Sequence, residues 1–406
     1  MIDIQPTFEW LVNGAEGAKS PEAMLQRICD DLRTAGVPIH RAEAFVRTLH
    51  PNIAGRSFIW RDGQPVVVVE RSYVDLNTHE FLASPMADAC RTGEYTRRDL
   101  SGDVEAALRP LVDAGYRDLV VAPLKFLTGQ NHVATFASRD GFTDDHLRAI
   151  SLLIPPLAPL GEIFALLRTA TNLLSTYVGR NAGSRILGGQ IQLGDTDTLR
   201  AVIWFSDLRG FTSLAQRVGP AKVIRALNEL FGCQIPAIEA HGGEVLKFIG
   251  DGLLAIFPFD AAAGPTEERC KAALDAAAES LANLEVQNVA RTASGEDPIH
   301  FGVALHYGEI SYGNIGGANR LDFTCIGPAV NLAARLETLT STLGREVVLS
   351  EAFADLVGVA VTPLGSFALK GVDGMVAAFA PAPVADPAPV ADPAPVADPA
   401  EPAIVG

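Results

Sequence analysis

Residues 201–212 read AVIWFSDLRGFT, an apolar run that ends in an aspartate and is followed closely by a glycine. Continuous apolar runs of this kind are typical of strands that are buried on both faces of a sheet. We therefore expect a central strand over 201–205, with Asp207 near its end and a helix that begins after Gly210. The stretch therefore predicts a sheet with this strand in its middle.

The segments after this strand predict the rest of the same domain. A helix is expected first, and then two strands over 244–248 and 253–257 joined by GDG at 250–252, which predicts a hairpin with a carboxylate at its tip. The further predicted elements are a helix over 266–284, strands over 299–305 and 322–326, and a helix over 330–339. The order strand, helix, strand, strand, helix, strand predicts an α+β fold with a ferredoxin-like βαββαβ core.

Residues 1–168 mix helix and strand patterns in a different order. Ser20 is a candidate cap for a helix over 21–33, and a second helix is expected to open at residues 143–145, at the end of the region. The elements expected between them are strands over 41–49 and 65–70, a helix over 104–114, and strands over 118–126 and 132–138. This order resembles a GAF domain, an α/β sensory module. The resemblance implies a regulatory domain over 1–168. Its pocket either binds a small-molecule ligand, which is a candidate partner, or is empty in a domain that serves dimerisation.

Three further segments complete the predicted organisation. Residues 160–186 carry an apolar stripe at helical spacing, which is typical of a core helix or of a helix paired with its copy in a dimer. We interpret residues 169–197 as a connecting helix and linker that precede the second domain, over 198–380. Residues 381–399 repeat the hexapeptide PAPVAD, which cannot form a packed core, and residues 381–406 are predicted to be a disordered tail.

The composition argues against several classes of protein. The chain has 32 Lys and Arg against 48 Asp and Glu, a net charge of −16, which disfavours binding to nucleic acid or to anionic membranes. Its five cysteines include no Cys-x-x-Cys pair, so neither a disulfide framework nor a cysteine zinc site is indicated. The N-terminus lacks a secretory pattern, and the longest apolar stretch, 149–161, is shorter than the roughly 18 residues of a membrane span. We expect a cytoplasmic protein with no nucleic-acid or membrane partner.

Two aspartates, Asp207 and Asp251, each lie beside a predicted strand and close to glycine. If the hairpin pairs with the central strand, both carboxylates meet at one edge of the sheet and offer the hard oxygen ligands that Mg²⁺ or Mn²⁺ prefers. Taken singly, each could instead cap a helix or form a turn. Residues 208–212 lead from a strand into a helix, where backbone N–H groups attract anions, and Gly210 lets a phosphate approach the backbone. The residues therefore indicate a combined metal and phosphate site.

Three longer blocks carry a more specific signal. They are FSDLRGFT at 205–212, HGGEVLKFIGDG at 241–252 and DFTCIGPAVNLAARLE at 322–337. In this order, within residues 198–380, they resemble the class III nucleotidyl cyclases, the adenylate and guanylate cyclases. The resemblance implies an adenylate cyclase that converts ATP to 3′,5′-cyclic AMP and pyrophosphate, with two Mg²⁺ or Mn²⁺ ions in each active site.

The resemblance also implies a role for each matching position. Asp207 and Asp251 would bind the metal ions, together with the backbone carbonyl of Leu208. One ion would lower the pKa of the ribose 3′-hydroxyl, which attacks the α-phosphate, and the other would neutralise the departing pyrophosphate. The phosphate-binding positions would be Gly210, Phe211 and Thr212.

Asn331 and Arg335 lie four residues apart, so they share one face of the predicted helix. The resemblance implies that Asn331 orients the ribose and that Arg335 stabilises the charge that grows on the α-phosphate. In isolation they would be interpreted as a surface asparagine and an arginine paired with Glu337 or Glu229. Within the third block, the catalytic interpretation is favoured.

The family's base-reading positions correspond to Lys247 and Thr324. A lysine and an acceptor suit adenine, whose N1 accepts and whose N6 donates hydrogen bonds, whereas guanine would favour a carboxylate at position 247. Lys247 therefore favours ATP. Many adenylate cyclases carry aspartate where this chain has Thr324, although a bacterial subgroup has threonine there.

The alternative functions are a guanylate cyclase and a signalling scaffold that binds nucleotide without turnover. All six of the family's metal, base and transition-state positions carry suitable residues, which argues against the scaffold. A diguanylate cyclase is disfavoured because GGEVL at 242–246 lacks the second acid and the aromatic residue of that family's turn.

The active site of the class III nucleotidyl cyclases lies between two cyclase domains, and this chain has one copy of each element. The resemblance therefore implies a head-to-tail homodimer with two shared sites.

Overall fold

The fold is that of a computed structural model, in which residues 2–259, 266–317 and 320–382 are described. The chain forms two compact units that divide between Gly189 and Gln190. This division lies inside the segment interpreted as a linker, 169–197. The tail predicted over 381–406 lies outside the described residues from position 383 onwards.

The first unit consists of one sheet and its flanking helices. Its helices are α1 (Gln5–Val12), α2 (Pro21–Thr34), α3 (Tyr73–Leu76), α4 (His79–Leu82), α5 (Pro85–Thr92), α6 (Arg109–Asp113), α7 (Asp144–Val178) and α8 (Arg180–Leu187), with a 3₁₀ turn at Ala106–Leu108. Its strands are β1 (Arg41–Arg47), β2 (Ile53–Arg61), β3 (Gln64–Ser72), β4 (Thr96–Asp99), β5 (Asp118–Lys125) and β6 (Asn131–Ser138). They form an antiparallel sheet in the order β3-β2-β1-β6-β5-β4.

Apolar residues are buried on both faces of this sheet. On one face, Ile28 of α2 and Leu153 of α7 belong to one buried cluster with Phe136 of β6. On the other face, Leu119 of β5 belongs to a second cluster with Ala89 of α5. Full burial of a large apolar side chain contributes about 1.5 to 3 kcal/mol, so these two layers stabilise the unit.

The strands expected in this unit are present, but β2 and β4 were not predicted. The helix predicted over 104–114 is instead the 3₁₀ turn at Ala106–Leu108 followed by the short α6. In β2, Gly55 and Arg56 interrupt the apolar pattern. A side chain at Gly55 would lie 2.7 Å from the ring of Phe45, so close packing requires glycine there. β4 reads TRRD and contains no apolar residue. The GAF-like assignment stays a prediction.

The apolar helix predicted over 160–186 is divided in the structure between the end of a longer helix, α7, and the separate helix α8. α7 begins at Asp144, after a capping box formed by Thr143 and His146. It continues without a break through the domain limit predicted at residue 168. The predicted connecting segment therefore contains the end of α7, all of α8 and the start of the next strand, rather than one helix.

The break between α7 and α8 has a local cause. Gly179 has a φ of 92°, a left-handed conformation that ends the helix after Val178. α8 then packs closely against α7, because a side chain on Gly183 would lie 3.1 Å from the backbone of Leu174. Glycine at both positions therefore allows α7 to end and α8 to pack closely against it.

α7 also bears on the prediction that no helix spans a membrane. Its 35 residues include a window with a mean hydropathy of 1.8, so its length and composition would allow it to cross a membrane. Seven of its residues are buried in the first unit, among them Ile150, Leu153 and Glu162, and about a third of the apolar window is buried. The cytoplasmic location stays a prediction.

The second unit is built on a larger sheet. Its strands are β7 (Thr196–Leu208), β8 (Glu244–Ile249), β9 (Gly252–Pro258), β10 (Phe301–Gly317), β11 (Arg320–Ile326), β12 (Val347–Ser350), β13 (Val361–Ala368) and β14 (Met375–Pro381). Its helices are α9 (Phe211–Arg217), α10 (Pro220–Ala240), α11 (Thr266–Ala293), α12 (Pro328–Leu343) and α13 (Glu351–Ala354). The strand order is β13-β14-β12-β10-β7-β9-β8, and β11 pairs with β10.

The predicted ferredoxin-like core is confirmed. The elements β7, α10, β8, β9, α11 and β10 follow the predicted order, and β10-β7-β9-β8 are neighbours in antiparallel pairs. β7 is central, as its apolar run predicts, and its Val202 and Trp204 are fully buried. Ile238 of α10 and Ala277 of α11 belong to the same buried cluster. The strands after α12 were not predicted.

Candidate active site

Asp207 and Asp251 lie side by side at one end of the central strand. Asp207 is the last but one residue of β7, opposite Gly302 of β10. Asp251 occupies the turn between β8 and β9, and β9 pairs with β7 up to Ser206. A side chain on Gly252 would lie 3.1 Å from Asp207 Oδ1 and 2.7 Å from the carbonyl oxygen of Ser206. The hairpin therefore pairs with the central strand, as expected, and brings the two carboxylates together.

These two carboxylates repel each other where water is partly excluded. Burial, and then the adjacent charge of Asp251, raises the pKa of Asp207 to about 6. A hydrogen bond with the backbone of Leu208 acts in the opposite direction. Because like charges this close disfavour ionisation, a bound cation would relieve the repulsion.

The groups present here fit a divalent cation. Asp207 and Asp251 supply hard oxygen ligands, and the carbonyl of Leu208 is adjacent in the chain. Among the residues that the structure describes, no group of three or more His, Cys, Asp or Glu side chains is arranged to hold a metal ion. A cation bound by the two aspartates would therefore take further ligands from water and substrate phosphate, as Mg²⁺ commonly does.

The segment after Asp207 enters a helix, as predicted. α9 begins at Phe211, and Gly210 before it has a φ of 69°. A side chain at Gly210 would meet nothing within 4 Å, so the backbone conformation rather than space requires glycine. No side chain caps α9. This excludes Asp207 as the cap and leaves the first-turn N–H groups, including those of Phe211 and Thr212, available to an anion.

Lys247 lies beside β11, the strand that carries the second base-reading position. Its Nζ donates to Asp322 Oδ2 at 3.0 Å, a contact that sequence reasoning missed. Thr324, two residues further along β11, is 4% exposed, and its hydroxyl has no hydrogen-bond partner within the described ranges. A buried polar group without a partner costs about 1 to 3 kcal/mol, so a ligand that bonds to it would gain affinity.

Asn331 and Arg335 are exposed on α12, one helical turn apart. Within the part of the chain that is described, neither side chain forms a hydrogen bond or an ion pair, so neither contacts the aspartates. The two glutamates considered as alternative partners of Arg335, Glu229 and Glu337, bond to other residues. Glu229 binds Arg291, and Glu337 accepts a hydrogen bond from within α12. Arg335 thus presents an unpaired charge at the surface of this protomer.

Two residues close to the aspartates were not predicted as part of the site. Glu337 of α12 is 8% exposed, and burial, followed by the charge of Asp207, raises its pKa to about 7. Arg209 follows the metal-binding segment directly and bonds to the end of α12. Both residues lie inside the motif blocks. The sequence does not show, however, that the end of α12 packs beside the end of β7.

The first unit contains a separate cavity of about 440 Å³. It lies between the sheet and helices α2 and α7, and its lining includes Phe58, Leu124 and Leu157 together with the stems of Arg56 and Arg168. This volume falls in the range of about 300 to 1,000 Å³ that is common for small-molecule sites.

Comparisons with known proteins identify the second unit. Residues 196–380 match the family model described as the adenylate and guanylate cyclase catalytic domain. An adenylate cyclase of Anabaena cylindrica is 33% identical over 165 residues, which cover 40% of this chain and 31% of that protein. Adenylate cyclase 2 of Rhizobium meliloti is 31% identical over 248 residues, which cover 59% of this chain and 63% of that protein.

Among solved structures, the crystal structure of the guanylyl cyclase Cya2 is 30% identical, with a TM-score of 0.42. The match covers 48% of this chain and 98% of that chain. The chain spans less than two thirds of the length of the two curated relatives above. The match to the family model confirms, for residues 196–380, the family predicted from the three sequence blocks. The first unit lies outside the residues that the family model matches.

Proposed function

We propose that this protein is an adenylate cyclase, which converts ATP to 3′,5′-cyclic AMP and pyrophosphate. The proposal rests on Asp207 and Asp251, two mutually repelling carboxylates at the end of the central strand of a cyclase-family domain. In this reaction the ribose 3′-oxygen loses its proton and forms a bond with the α-phosphorus. The bond from that phosphorus to the bridging oxygen breaks, and pyrophosphate leaves with the electron pair.

Asp207 and Asp251, with the carbonyl of Leu208, would hold two Mg²⁺ or Mn²⁺ ions. Bound there, the ions would supply charge that lowers the pKa of the 3′-hydroxyl and neutralises the phosphates. The task of the two carboxylates is to fix where that charge lies relative to the α-phosphate. Because both are attached to paired strands, their separation changes little when substrate binds.

Other residues would orient the phosphates and the sugar. The N–H groups at Gly210, Phe211 and Thr212 would donate hydrogen bonds to phosphate oxygens at the start of α9. Asn331 would bond to the ribose and hold its 3′-hydroxyl in line for attack. Arg335 would donate to the α-phosphate oxygens most strongly as charge grows on them.

Base selection would depend on Lys247 and Thr324. The Lys247 ammonium would donate to adenine N1, and the Thr324 hydroxyl would accept from the N6 amino group. The lack of a partner for that hydroxyl supports this assignment, as does the ion pair with Asp322, which holds Lys247 beside β11. Guanine offers a donor at N1 and an acceptor at O6, so it matches these two groups less well.

Turnover of the purified protein with ATP and with GTP, each with Mg²⁺ and with Mn²⁺, tests this function. We expect cyclic AMP and pyrophosphate from ATP, and little cyclic product from GTP. Faster turnover of GTP would favour a guanylate cyclase. The absence of product from all four combinations would contradict the proposal and favour a scaffold that only binds nucleotide.

The variant Lys247→Glu is expected to reduce kcat/KM for ATP by about 10- to 100-fold. It replaces a charged donor by an acceptor, and a hydrogen bond to a charged group is worth about 1.5 to 3 kcal/mol. The ratio of GTP to ATP turnover should rise in the same measurement. Lys222→Glu, at an exposed lysine of α10, is the matched control. An unaltered nucleotide preference would contradict the base-reading role.

Each active site would be shared between two copies of the chain. This proposal is supported by the single copy of each motif and by the exposed position of Asn331 and Arg335, which contact neither aspartate of their own protomer in the described residues. In a head-to-tail dimer, Asp207 of one protomer would face Arg335 of the partner subunit. Two-fold symmetry would then produce two equivalent sites.

Mixing Asp207→Ala chains with Arg335→Ala chains is expected to restore activity. Each variant alone should be nearly inactive, because both of its sites lack one group. At equal concentrations half of the dimers are mixed, and each mixed dimer has one intact site, so about one quarter of the wild-type activity should return. Two affinity tags would isolate the mixed dimers. Inactive mixed dimers would refute the shared site.

The first unit would act as the regulatory domain, with a small-molecule ligand in its cavity. Its lining includes residues of α7, so a ligand there would contact that helix directly. A cytoplasmic location, where ATP is abundant, belongs to the same proposal.

A further inference from the structure

An arginine from the metal-binding segment holds the C-terminal end of α12. Arg209 Nη2 donates to the backbone carbonyl of Arg345 at 2.5 Å and to that of Thr340 at 3.3 Å. The backbone N–H of Arg209 donates to the carbonyl of His300 at 2.8 Å, which fixes the residue at the end of β7. A guanidinium at a helix C-terminus also complements the negative end of the helix dipole. Arg209 therefore connects the end of β7 to the end of α12.

A second contact packs α12 closely against the sheet beside Asp207. Gly302 of β10 is paired with Asp207, and a side chain on Gly302 would lie only 2.0 Å from Thr340 Oγ1. The Thr340 hydroxyl is fully buried and donates to Glu337 Oε1 at 3.2 Å. Because protein interiors are close-packed and yield little, the end of α12 and the strand beside Asp207 must move together.

The earlier turns of α12 carry the residues assigned to the transition state. Arg335 lies five residues before Thr340, which is about 8 Å along the helix axis. On the function proposed above, Asn331 and Arg335 act in the site that contains the partner subunit's Asp207. The C-terminal end of α12 is thus fixed beside the active site that contains Asp207 of the same protomer. Its exposed residues Asn331 and Arg335 act in the other active site of the dimer.

We propose that Arg209 is a positioning residue that couples the two active sites of the dimer through α12. Arg209 bonds to one carbonyl in the last turn of α12 and to one just beyond the helix, and it is assigned no contact with the nucleotide. By holding the end of α12, it sets where Asn331 and Arg335 stand relative to the partner subunit's Asp207. Binding of metal and phosphate in one site would then order the helix that acts in the other. This inference rests on the proposed cyclase function and on the shared site.

Mixed dimers distinguish the positioning of α12 by Arg209 from an effect of Arg209 on the metal site of its own chain. The first chain carries Arg335→Ala and the second carries Asp207→Ala. One intact site remains, built from Asp207 of the first chain and Arg335 of the second. Arg209→Ala is then added to the second chain, whose own aspartate is already absent. In the proposed dimer, an effect of this change on the intact site must pass through α12 of that chain.

We expect kcat of the intact site to fall by about 3- to 30-fold, while KM for ATP stays within about twofold. Arg209→Lys keeps the charge but replaces the planar guanidinium, whose Nη2 bonds both carbonyls, by an ammonium on a shorter side chain, so its loss should be smaller than that of Arg209→Ala. Arg345→Ala is the matched control, because it removes an exposed side chain and keeps the carbonyl that Arg209 binds. This control should leave kcat unchanged. Thermal unfolding of each mixed dimer verifies its fold.

Unchanged kcat after Arg209→Ala in the second chain would overturn the coupling, and so would an equal loss from Arg345→Ala. If Arg209→Ala prevents the mixed dimer from forming, Arg209→Lys is tested instead, and an unchanged kcat of the intact site would then overturn the coupling. An inactive parent pair beside an active wild-type chain would refute the shared site, and the coupling with it. Failure of the wild-type chain to make cyclic AMP would refute the proposed function itself, so the two failures are distinguishable.

Discussion

Replacement of Asp207 or Asp251 by asparagine is expected to reduce the turnover of ATP by about 10³-fold or more without loss of the fold. Metal ions that polarise and neutralise reacting phosphates supply several kcal/mol of transition-state stabilisation, and each 1.4 kcal/mol corresponds to about tenfold in rate. Asparagine keeps the shape of the side chain and removes its charge. The packing of β7 and the hairpin should therefore survive.

The same variants should unfold at a higher temperature than the wild-type chain when no divalent ion is present. The pKa of Asp207 is raised to about 6, above its ordinary value, so the folded state favours the protonated carboxyl. The stability associated with that proton is present at low pH and is lost as the pH rises through this pKa. At neutral pH the burial of the charged Asp207, and then its repulsion by Asp251, therefore destabilise the second unit. Neutralising Asp207 removes both effects, and neutralising Asp251 removes the repulsion.

Turnover assays and thermal unfolding with and without Mn²⁺ check both expectations. Mn²⁺ should raise the unfolding temperature of the wild-type chain more than that of either variant, because binding to the folded state stabilises it. Asp275→Asn, at an exposed aspartate of α11, is the matched control and should behave as wild type. Near wild-type turnover in both active-site variants, or equal stabilisation of all chains by Mn²⁺, would refute the metal assignment.

Truncation of Arg335 to alanine is expected to lower kcat by about 10²- to 10³-fold, with KM for ATP within about threefold. The guanidinium is exposed and has no ion-pair partner in the described portion of its own protomer, so its removal should cost little stability. Its proposed bond to the α-phosphate strengthens as charge accumulates, and loss of one such donor typically has this effect on the rate. Steady-state kinetics of the purified variant measures the division between kcat and KM.

Two further variants make this measurement specific. Arg335→Lys should recover part of the rate, because lysine retains a charge but cannot donate in a bidentate fork. Arg345→Ala removes an exposed arginine just beyond the same helix and should leave kcat unchanged. A higher KM with an unaltered kcat would show that Arg335 binds the ground state and transition state equally, which would contradict its proposed role.

The N-terminal unit shows where local patterns were too weak. β2 was missed because Gly55 breaks its apolar pattern, although that glycine is required by the ring of Phe45 from the neighbouring strand. The extent of α7 was also missed, since Pro155 and Pro156 favour a helix end on local grounds yet lie inside the helix. In both cases contacts distant in the chain outweigh the local preference.

Local patterns sufficed for much of the second unit. The apolar run before Asp207 predicts a strand covered on both faces, and β7 is central. The hairpin around GDG at 250–252 and the start of α9 after Gly210 follow from turn chemistry and from a positive φ. The three motif blocks identified the family that the comparison confirms for residues 196–380. These features depend on the spacing of residues along one short segment, so they can be read directly from the chain.

Other features of the site emerge only when the segments are packed together. Lys247 meets Asp322 across 75 positions, and Arg209 reaches the carbonyl of Thr340 across 131. The carboxylates of Asp207 and Asp251 lie side by side, partly buried, because β9 pairs with β7 in one particular register. Strand register and helix packing are properties of the whole domain, since each contact is stabilised by the burial of many other side chains. The raised pKa of Asp207 and the bonds from Arg209 to the end of α12 follow from that packing, and no local pattern encodes them.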